Sequence, residues 1–266
     1  AGRFGWHVEG LRFDWDALRD FVASDVDRLE GLYGQTLASN KVDSFLTRAT
    51  VTGPNSVALA DGRSFTARHI LIAVGATPVM PAIPGGDLCS SSNEMFQLAR
   101  FPQRLVVVGG GYIALEFAGI FNALGAEVTV VNRSDTLLRG YDRLCVERLT
   151  AIMAARGVRF VLDAHLHRVE RLNDGSLLAE VGGERIGTDQ VLVATGRQPN
   201  TAGLGLETAG IAPGTRGEIA VDALGATSCP SSFPTRNCAA RRPTSSLETR
   251  TVVIGIGNSP MISMSS

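Results

Sequence analysis

The stretch that decides the fold runs from Leu105 to Glu116 and reads LVVVGGGYIALE. Its apolar start predicts a buried strand, its glycines predict a tight turn, and the residues that follow have the spacing of an amphipathic helix. Gly109 permits the turn, Gly111 lets the backbone approach a pyrophosphate, and Ala114, where a third glycine is commoner, keeps the helix close to the sheet. Because the helix N-terminus would then face phosphates, the stretch predicts a dinucleotide-binding turn.

The residues that follow the next strand, at 132–139, indicate which nucleotide is bound. An NAD site usually places an acidic residue there, which accepts a hydrogen bond from the ribose 2′-hydroxyl. This chain has Asn132 and Arg133 instead, with Arg139 one loop further on. Guanidinium groups form charge-assisted bonds to a 2′-phosphate, whereas a carboxylate would repel it. The pattern therefore favours NADP.

The composition is typical of a globular protein and excludes several classes of partner. The chain has 266 residues, 44% of them hydrophobic, and a net charge of −1. No basic stripe interleaved with aromatic residues is visible, so we expect no nucleic-acid partner. No apolar run approaches the roughly 20 residues of a membrane helix and no secretion signal opens the chain, so we expect a cytoplasmic protein without a membrane partner. The sequence at Ala1 already resembles the middle of a domain, so we expect a fragment.

Neither the cysteines nor the histidines have the spacing of a metal or redox site. The four cysteines form no CxxC or CxxxxC pair; they are Cys89, Cys145, Cys229 and Cys238. His165 and His167 form an HxH pair on a strand that we expect at a sheet edge, with no third ligand apparent. We therefore expect no metal site.

The periodicity of the apolar residues predicts an α/β fold. Residues 12–38 have helical spacing, whereas residues 42–74 have the shorter period of an antiparallel meander that ends in a buried strand. Residues 105–162 read as a βαβαβ unit, whose helices stop at glycines. Residues 169–194 read as a second meander that leads into another buried strand.

Two segments of the chain end alike, IAVGATP at residues 72–78 and VATGRQP at residues 193–199. We interpret this echo as a duplicated architecture, in which each segment ends the last strand of a nucleotide-binding unit. Gly75 and Gly196 would let the backbone pass close to a cofactor, and the proline would end the strand.

The character of the chain changes after Ala223. Residues 224–266 hold nine serines and a single acidic residue, Glu248. The GIGNSP run at residues 255–260 lacks a third small residue and a following helix, so we interpret it as a chance match. We expect this tail to be disordered or foreign to the fold.

From about Gly5 to Ala223 the chain resembles the glutathione reductase group of FAD- and NADPH-dependent disulfide reductases. Three runs carry the resemblance: GGGYIALEFAGIFN at residues 109–122, Arg133 with LRGYD at residues 138–142, and ATGRQPNT at residues 194–201. The resemblance implies an α/β fold in which a Rossmann-like, three-layer NADP-binding domain is inserted in a partial FAD-binding domain of the same kind.

The resemblance also implies a division into domains. These are a partial FAD-binding domain at residues 1–100 that lacks its first βαβ unit, an NADPH-binding domain at 101–197, a return to the FAD domain at 198–223, and an unmatched tail at 224–266.

Several residues match positions with a role in that family. Tyr112 matches the tyrosine that covers the nicotinamide pocket and Glu116 the glutamate that helps hold nicotinamide near the flavin. Without the resemblance, helix-start packing explains Tyr112 and solvation explains Glu116 equally well, but the resemblance favours the functional roles. Arg133 and Arg139 match the pair that binds the 2′-phosphate. Tyr33 matches the tyrosine that contacts glutathione disulfide, with helix packing as the alternative. The residues expected to bind cofactors are Gly75, Gly109, Gly111, Tyr112, Ile113, Ala114, Glu116, Arg133, Arg139, Gly196 and Arg197.

The activity implied is hydride transfer from NADPH to FAD, then reduction of a cysteine pair and of glutathione disulfide, in a homodimer. The cysteine pair and the acid–base histidine of the family have no counterpart here, so we expect no catalytic residue and no turnover by this chain alone. Two alternatives remain open: another NADPH disulfide reductase, of the trypanothione or mercuric reductase type, and a non-catalytic NADPH-binding module.

Overall fold

The computed structural model describes residue 10, residues 12–229 and 251–255, and the backbone of residues 261–265. The helices are α1 (Trp15–Ser39), α2 (Ser92–Met95), α3 (Tyr112–Ala123) and α4 (Arg143–Ala155). The strands are β1 (Val42–Leu46), β2 (Ala49–Gly53), β3 (Ser56–Leu59), β4 (Ser64–Thr66), β5 (His69–Ala73), β6 (Ala76–Pro78), β7 (Arg104–Val108), β8 (Glu127–Val131), β9 (Arg159–Val161), β10 (Leu166–Arg171), β11 (Leu177–Val181), β12 (Glu184–Thr188), β13 (Gln190–Val193), β14 (Arg197–Pro199), β15 (Thr251–Gly255) and β16 (Met261–Ser265).

The chain divides into two compact units. The first comprises the described residues up to Val26 together with Pro78–Gly196, and the second comprises Asp27–Thr77 together with the described residues from Arg197 onward. None of the helices in the described ranges is long and apolar enough to cross a membrane.

The first unit is built on a parallel sheet with the strand order β13-β7-β8-β9. Its two main helices begin and end where the sequence predicts. The carboxylate of Asp142 accepts a hydrogen bond from the amide of Cys145 at 3.0 Å and caps α4, and Gly125 and Gly157 follow α3 and α4 with φ of 106° and 95°. Glycine adopts such angles without strain, so it ends the helices. The predicted βαβαβ unit is confirmed.

Both faces of this parallel sheet are covered. On one face α3 buries five residues, Ala114, Leu115, Phe117, Ala118 and Phe121, against alternate strand residues such as Leu105 and Val107. On the other face Val106 and Val108 pack against the antiparallel meander β10-β11-β12. Helices, parallel sheet and meander make three layers, and the α/β fold class is confirmed.

The second unit contains two sheets. Strands β2, β3 and β4 form an antiparallel meander, and the other sheet has the order β1-β16-β15-β5, in which β15 runs parallel to β5 and β16 runs antiparallel to both of its neighbours. The prediction of one meander over residues 42–74 is therefore only partly correct, because β1 and β5 pair with strands from the end of the chain rather than with β2 and β4. The expected burial of the last strand is wrong, since β5 alternates between exposed and half-buried residues.

The expectation of a disordered tail is wrong for part of residues 224–266. Residues 251–255 form a strand because Val252 and Ile254 are fully buried in the core of the second unit, and their backbone completes a ladder with β5. The backbone of residues 261–265 adds β16. Most of the GIGNSP run lies outside the described residues.

The predicted N-terminal helix is confirmed as α1, but it buries no side chain completely. Its first residue, Trp15, donates a hydrogen bond from Nε1 to the Leu98 carbonyl at 2.8 Å and lies 5.8 Å from the ring of Phe121. Further along, Phe21 and Tyr33 are exposed. The apolar periodicity of α1 thus predicts a helix correctly without predicting a buried face.

Candidate nucleotide-binding site

The glycine turn that follows β7 lies between the ends of two neighbouring strands. Gly109 has φ of 137°, and a Cβ at this position would lie 2.4 Å from the carbonyl oxygen of Ala194, after β13. The amide of Gly109 donates to the carbonyl of Val131, at the end of β8, at 2.8 Å. The positive φ angle and the close approach of the Ala194 carbonyl together allow only glycine at position 109.

The N-terminus of α3 is open. Gly111 is its N-cap and offers no side chain to the first amides, and a Cβ built on Gly111 meets no atom within 4 Å. Behind it Ala114 is fully buried and holds the first turn against the sheet. The free amides and the helix dipole favour an anion at this end. The arrangement can hold a phosphate close to the backbone.

Asn132 occupies the position where an NAD site usually carries an acid, and its side chain faces inward. It is nearly buried, and its Nδ2 donates to the carbonyls of Ser134 at 2.8 Å and Thr136 at 3.0 Å. A Cβ on Gly110 would lie 2.7 Å from the Oδ1 of Asn132. Asn132 therefore joins the loop after β8 to the glycine turn. Sequence reasoning identified the position but not these contacts.

Arg133 and Arg139 lie in and just after that loop. Both are exposed, and within the described ranges neither guanidinium has a hydrogen-bond or ion-pair partner. Between them, the amide of Leu138 donates to the carbonyl of Gly110 at 2.7 Å. Two cationic groups are thus available to a ligand beside the glycine turn.

Tyr112 and Glu116 are four residues apart on α3 and share one face of the helix. Both are exposed, Tyr112 to 56%. Ile113 is half-buried and packs against the core below the turn. The exposed part of the ring and the carboxylate are accessible to a ligand at the start of α3, and the roles of both residues stay predictions.

The two echoed segments come together in the second unit, where β6 and β14 form a two-stranded sheet. The Arg197 guanidinium donates to the carbonyl of Ala76, and the amide of Asn200 donates to the carbonyl of Gly75 at 2.9 Å. Gly75 has φ of 61°, and Gly196, assigned to the first unit, has φ of 158°. Arg197 thus already has a protein partner.

Asn200 is a residue that sequence reasoning missed. Its side-chain amide donates to the carbonyl of Val74 at 3.0 Å, and its Oδ1 lies 2.6 Å from the Thr77 hydroxyl. Its position directly after the second echo was the available signal. A cavity of about 470 Å³ opens here, lined by Arg48, Ala49, Val74, Thr77, Gln198, Pro199, Asn200, Ala202, Leu204 and Gly255.

Tyr33, predicted to contact a disulfide substrate, lies on α1 with 71% of its surface exposed. In the described part of the chain nothing else from the predicted site contacts it through an aromatic or hydrogen-bonding interaction.

Three cysteines are described and all are free thiols: Cys89, Cys145 and Cys229. Burial, with a smaller effect of the nearby Asp87 carboxylate, raises the pKa of Cys89 to about 11. At neutral pH Cys89 is therefore a protonated thiol and a poor nucleophile. Cys238 lies outside the described residues.

His165 directly precedes β10 and His167 is its second residue, with ring centroids 6.3 Å apart; β10 is an edge strand, as predicted. Within the described residues no group of three or more possible metal ligands is present.

Comparison with known proteins gives one family and a consistent set of relatives. Residues 8–246 match the family described as pyridine nucleotide-disulphide oxidoreductase. Among curated proteins, glutathione reductase of Burkholderia cepacia is 40% identical over 230 residues, covering 86% of this chain and 51% of the relative. The chloroplastic/mitochondrial glutathione reductase of Pisum sativum is 38% identical over 230 residues, covering 86% of this chain and 42% of the relative. The resemblance to the glutathione reductase group is confirmed.

A solved structure similar to the chain is the HOCl-induced flavoprotein disulfide reductase RclA from Escherichia coli. It superposes with a TM-score of 0.63 at 31% identity, over 69% of this chain and 42% of that one. The chain thus spans about half the length of the relatives that it matches.

Proposed function

Because the chain belongs to the pyridine nucleotide-disulphide oxidoreductase family, we propose that its first unit binds NADPH and supplies the electron-donor site of a flavin disulfide reductase. The glutathione reductase relatives make glutathione disulfide the favoured final substrate. In the complete protein we propose FAD as the second cofactor and a homodimer as the assembly.

The observation that carries the proposal is the pairing of an open helix N-terminus with two free arginines. No side chain caps the first-turn amides of α3, and a Cβ built on Gly111 meets no atom within 4 Å. Arg133 and Arg139 lie beside the same turn without a protein partner in the described ranges. A pyrophosphate is satisfied by the amides and a 2′-phosphate by the guanidinium groups.

The residues present fit NADPH better than NADH. Nothing at Asn132 offers a carboxylate to a ribose 2′-hydroxyl, because its side chain is nearly buried and hydrogen-bonded inward. Tyr112 and Glu116 are exposed one turn apart on the face of α3. We propose that Tyr112 covers the nicotinamide and that Glu116 helps to hold it. When bound, NADPH supplies the hydride.

The cavity of the second unit is the proposed position of part of the flavin nucleotide. It lies at the carboxyl ends of β5 and β15, where ligands of parallel sheets usually bind. Its volume is within the range of small-molecule sites. Arg48, Thr77 and Asn200 provide the polar groups for a phosphate or a ribose. We propose that Gly75 and Arg197 of the second unit approach the same cofactor, while Gly196 of the first unit stays a predicted cofactor-binding residue.

A calorimetric titration of the chain with NADPH and with NADH tests the proposal. We expect NADPH to bind more tightly, and the double variant Arg133→Ala/Arg139→Ala to lose that preference. Arg148→Ala, an exposed arginine of α4, is the matched control and should bind as the original chain does. Equal affinity for both nucleotides, or no binding by the folded chain, would refute an NADPH site.

A non-catalytic NADPH-binding module is the second candidate, since the open helix N-terminus and the two arginines concern nucleotide binding alone. An absorption spectrum separates the two ideas. A bound flavin that NADPH bleaches supports the reductase, whereas NADPH binding without any flavin supports the module. The resemblance also admits a trypanothione or mercuric reductase, and Tyr33 is the residue that favours glutathione disulfide.

A further inference from the structure

The side chain of Asn132 organises the loop at residues 132–138. Its Nδ2 donates to two backbone carbonyls, those of Ser134 and Thr136, and lies 3.2 Å from the Ser134 hydroxyl. Carbonyl oxygens only accept hydrogen bonds, so the amide nitrogen rather than the amide oxygen has to face the loop. An N–H donor at this position is therefore a requirement of the loop conformation.

The loop is anchored to the glycine turn at both ends. At the first end the Asn132 side chain lies against Gly110, where an added Cβ would approach its Cγ and Oδ1 to 2.7 Å. At the other end the amide of Leu138 donates to the carbonyl of Gly110 at 2.7 Å. Arg133 directly follows the first anchor and Arg139 directly follows the second. Each arginine is thus one residue away from a contact with the same glycine.

We propose that Asn132 is a positioning residue for nucleotide selection, which holds the 132–138 loop on Gly110 so that Arg133 and Arg139 meet the 2′-phosphate. The inference rests on the proposed function, since it concerns how the NADPH site is built. In an NAD site the residue at the position of Asn132 usually binds the ribose. In this chain Asn132 instead stabilises the loop and does not itself contact the nucleotide.

The chemistry of the position explains why an acid cannot replace the amide. Aspartate has the shape of asparagine but no N–H group, so its carboxylate would face the carbonyls of Ser134 and Thr136. The carboxylate would repel the two carbonyl oxygens, and two hydrogen bonds would be lost. Both effects would release the loop from Gly110. Leucine would remove the donor without adding charge, and it would leave the two carbonyls unpaired.

The first test measures the loop in the absence of nucleotide. We compare the original chain with Asn132→Asp and Asn132→Leu by hydrogen exchange of the Leu138 amide and by trypsin cleavage after Arg133 and Arg139. Both variants should exchange at least roughly tenfold faster, the ratio that corresponds to the loss of about one hydrogen bond. Asn173→Asp, at an exposed turn, makes the same chemical change elsewhere and should behave as the original. Unchanged exchange in Asn132→Asp overturns the proposal.

The second test measures the ratio of the NADPH and NADH dissociation constants. We expect that ratio to move roughly tenfold toward NADH in both Asn132 variants, again the equivalent of one lost hydrogen bond. If Asn132 has a purely structural role, its replacement should weaken the binding of NADPH and NADH equally. That result would overturn the proposal. If the original chain binds neither nucleotide, the proposed function fails, and the exchange of Leu138 still decides whether Asn132 holds the loop. If the leucine variant folds poorly, the aspartate variant carries both tests because its shape is unchanged.

Discussion

The two units use similar strands but cover them differently. In the first unit β8 is buried along four consecutive residues, because α3 lies on one face of the sheet and the meander on the other. In the second unit β5 alternates between half-buried and exposed residues, and Leu71 is 55% exposed. The part of α1 assigned to this unit has no buried residue. An apolar pattern therefore predicts a strand or a helix, whereas its burial depends on whether a second layer is present.

The largest expected effect is at the centre of the first unit. Phe121 is 2% exposed and its ring lies 5.7 Å from that of Phe101 and 5.8 Å from that of Trp15. Replacing it with alanine should destabilise the first unit by about 4 kcal/mol, through lost burial and a cavity. Urea unfolding followed by hydrogen exchange at β7 and β5 measures each unit. If the β5 amides lose as much protection from exchange as the β7 amides, the two units unfold as one.

A smaller loss is expected at the strand from the end of the chain. Ile254 is fully buried in the second unit, where β15 pairs with β5. Ile254→Ala should cost about 3 kcal/mol in that unit and expose the amides of β5 to exchange, while β7 keeps its protection. Val253→Ala, at a half-buried position of the same strand, is the control and should cost less. If the exchange of the β5 amides does not change in Ile254→Ala, β15 is not part of the core of the second unit.

Glycine substitutions separate folding from binding. Gly109→Ala should destabilise the first unit by about 2 kcal/mol, since φ is positive and the Cβ would meet the Ala194 carbonyl. Gly111→Ala places its methyl group in open space, so it should change stability by less than about 0.5 kcal/mol and still weaken NADPH. In the second unit Gly205→Ala is the counterpart of Gly109→Ala, because its Cβ would lie 2.2 Å from the Val51 carbonyl. Unfolding curves and calorimetric titration report the two effects, and strong destabilisation by Gly111→Ala would contradict the open site.

The smallest effect is expected from an ion pair. Partial burial opposes ionisation of Asp189, but hydrogen bonds from the Arg104 side chain and amide outweigh it and lower the pKa of the carboxyl group. A lowered pKa gives stability that is present above the ordinary value of about 3.9 and is lost as the pH falls through the folded-state value. Because both side chains are about a third or more exposed, Asp189→Asn should cost at most about 1 kcal/mol at pH 7.

The measurement is urea unfolding of the original chain and of Asp189→Asn at pH 7 and again near pH 3. The difference between the two proteins should shrink at the lower pH. Asp61→Asn repeats the change in the second unit, where the Arg63 side chain lowers the pKa of a somewhat more exposed carboxyl group, and a smaller change is expected there. A difference that persists at low pH would show that Asp189 acts through packing rather than charge.

The fold could be predicted wherever its signals are local. Gly125 and Gly157 end helices, and a strand, a glycine turn and a helix follow one another within residues 105–123, so the first unit was predictable in detail. The partners of β1 and β5 could not be predicted, because they lie near the end of the chain and nothing in the strand sequence specifies a remote partner. Strand β4 has only three residues, SFT, which are too few to show an alternating pattern of their own.

The site was predictable to the same extent. The glycine turn follows from spacing, since the spacing fixes where the helix and the next strand end, whereas the role of Arg133 and Arg139 comes from the resemblance and stays a prediction. The inward orientation of Asn132 could not be predicted, because the sequence does not show which carbonyls its amide meets. The contacts of Asn200 depend on the pairing of β6 with β14, which is equally remote in sequence.

One hydrogen bond in the first unit has a consequence for the order of folding. The amide of Val79 donates to the carbonyl of Gly196 at 3.1 Å, so the two ends of the segment 78–196 are neighbours. Joining Ala76 to Arg197 in an unfolded chain requires closure of a long loop, and the entropic cost grows with loop length. Once residues 78–196 have folded, Ala76 and Arg197 are already near each other, and little of that entropic cost remains. We therefore expect β7 to gain protection before β5 in pulsed hydrogen exchange, and the reverse order would exclude this route. A segment with adjacent ends is also one that another protein could accept as an insertion.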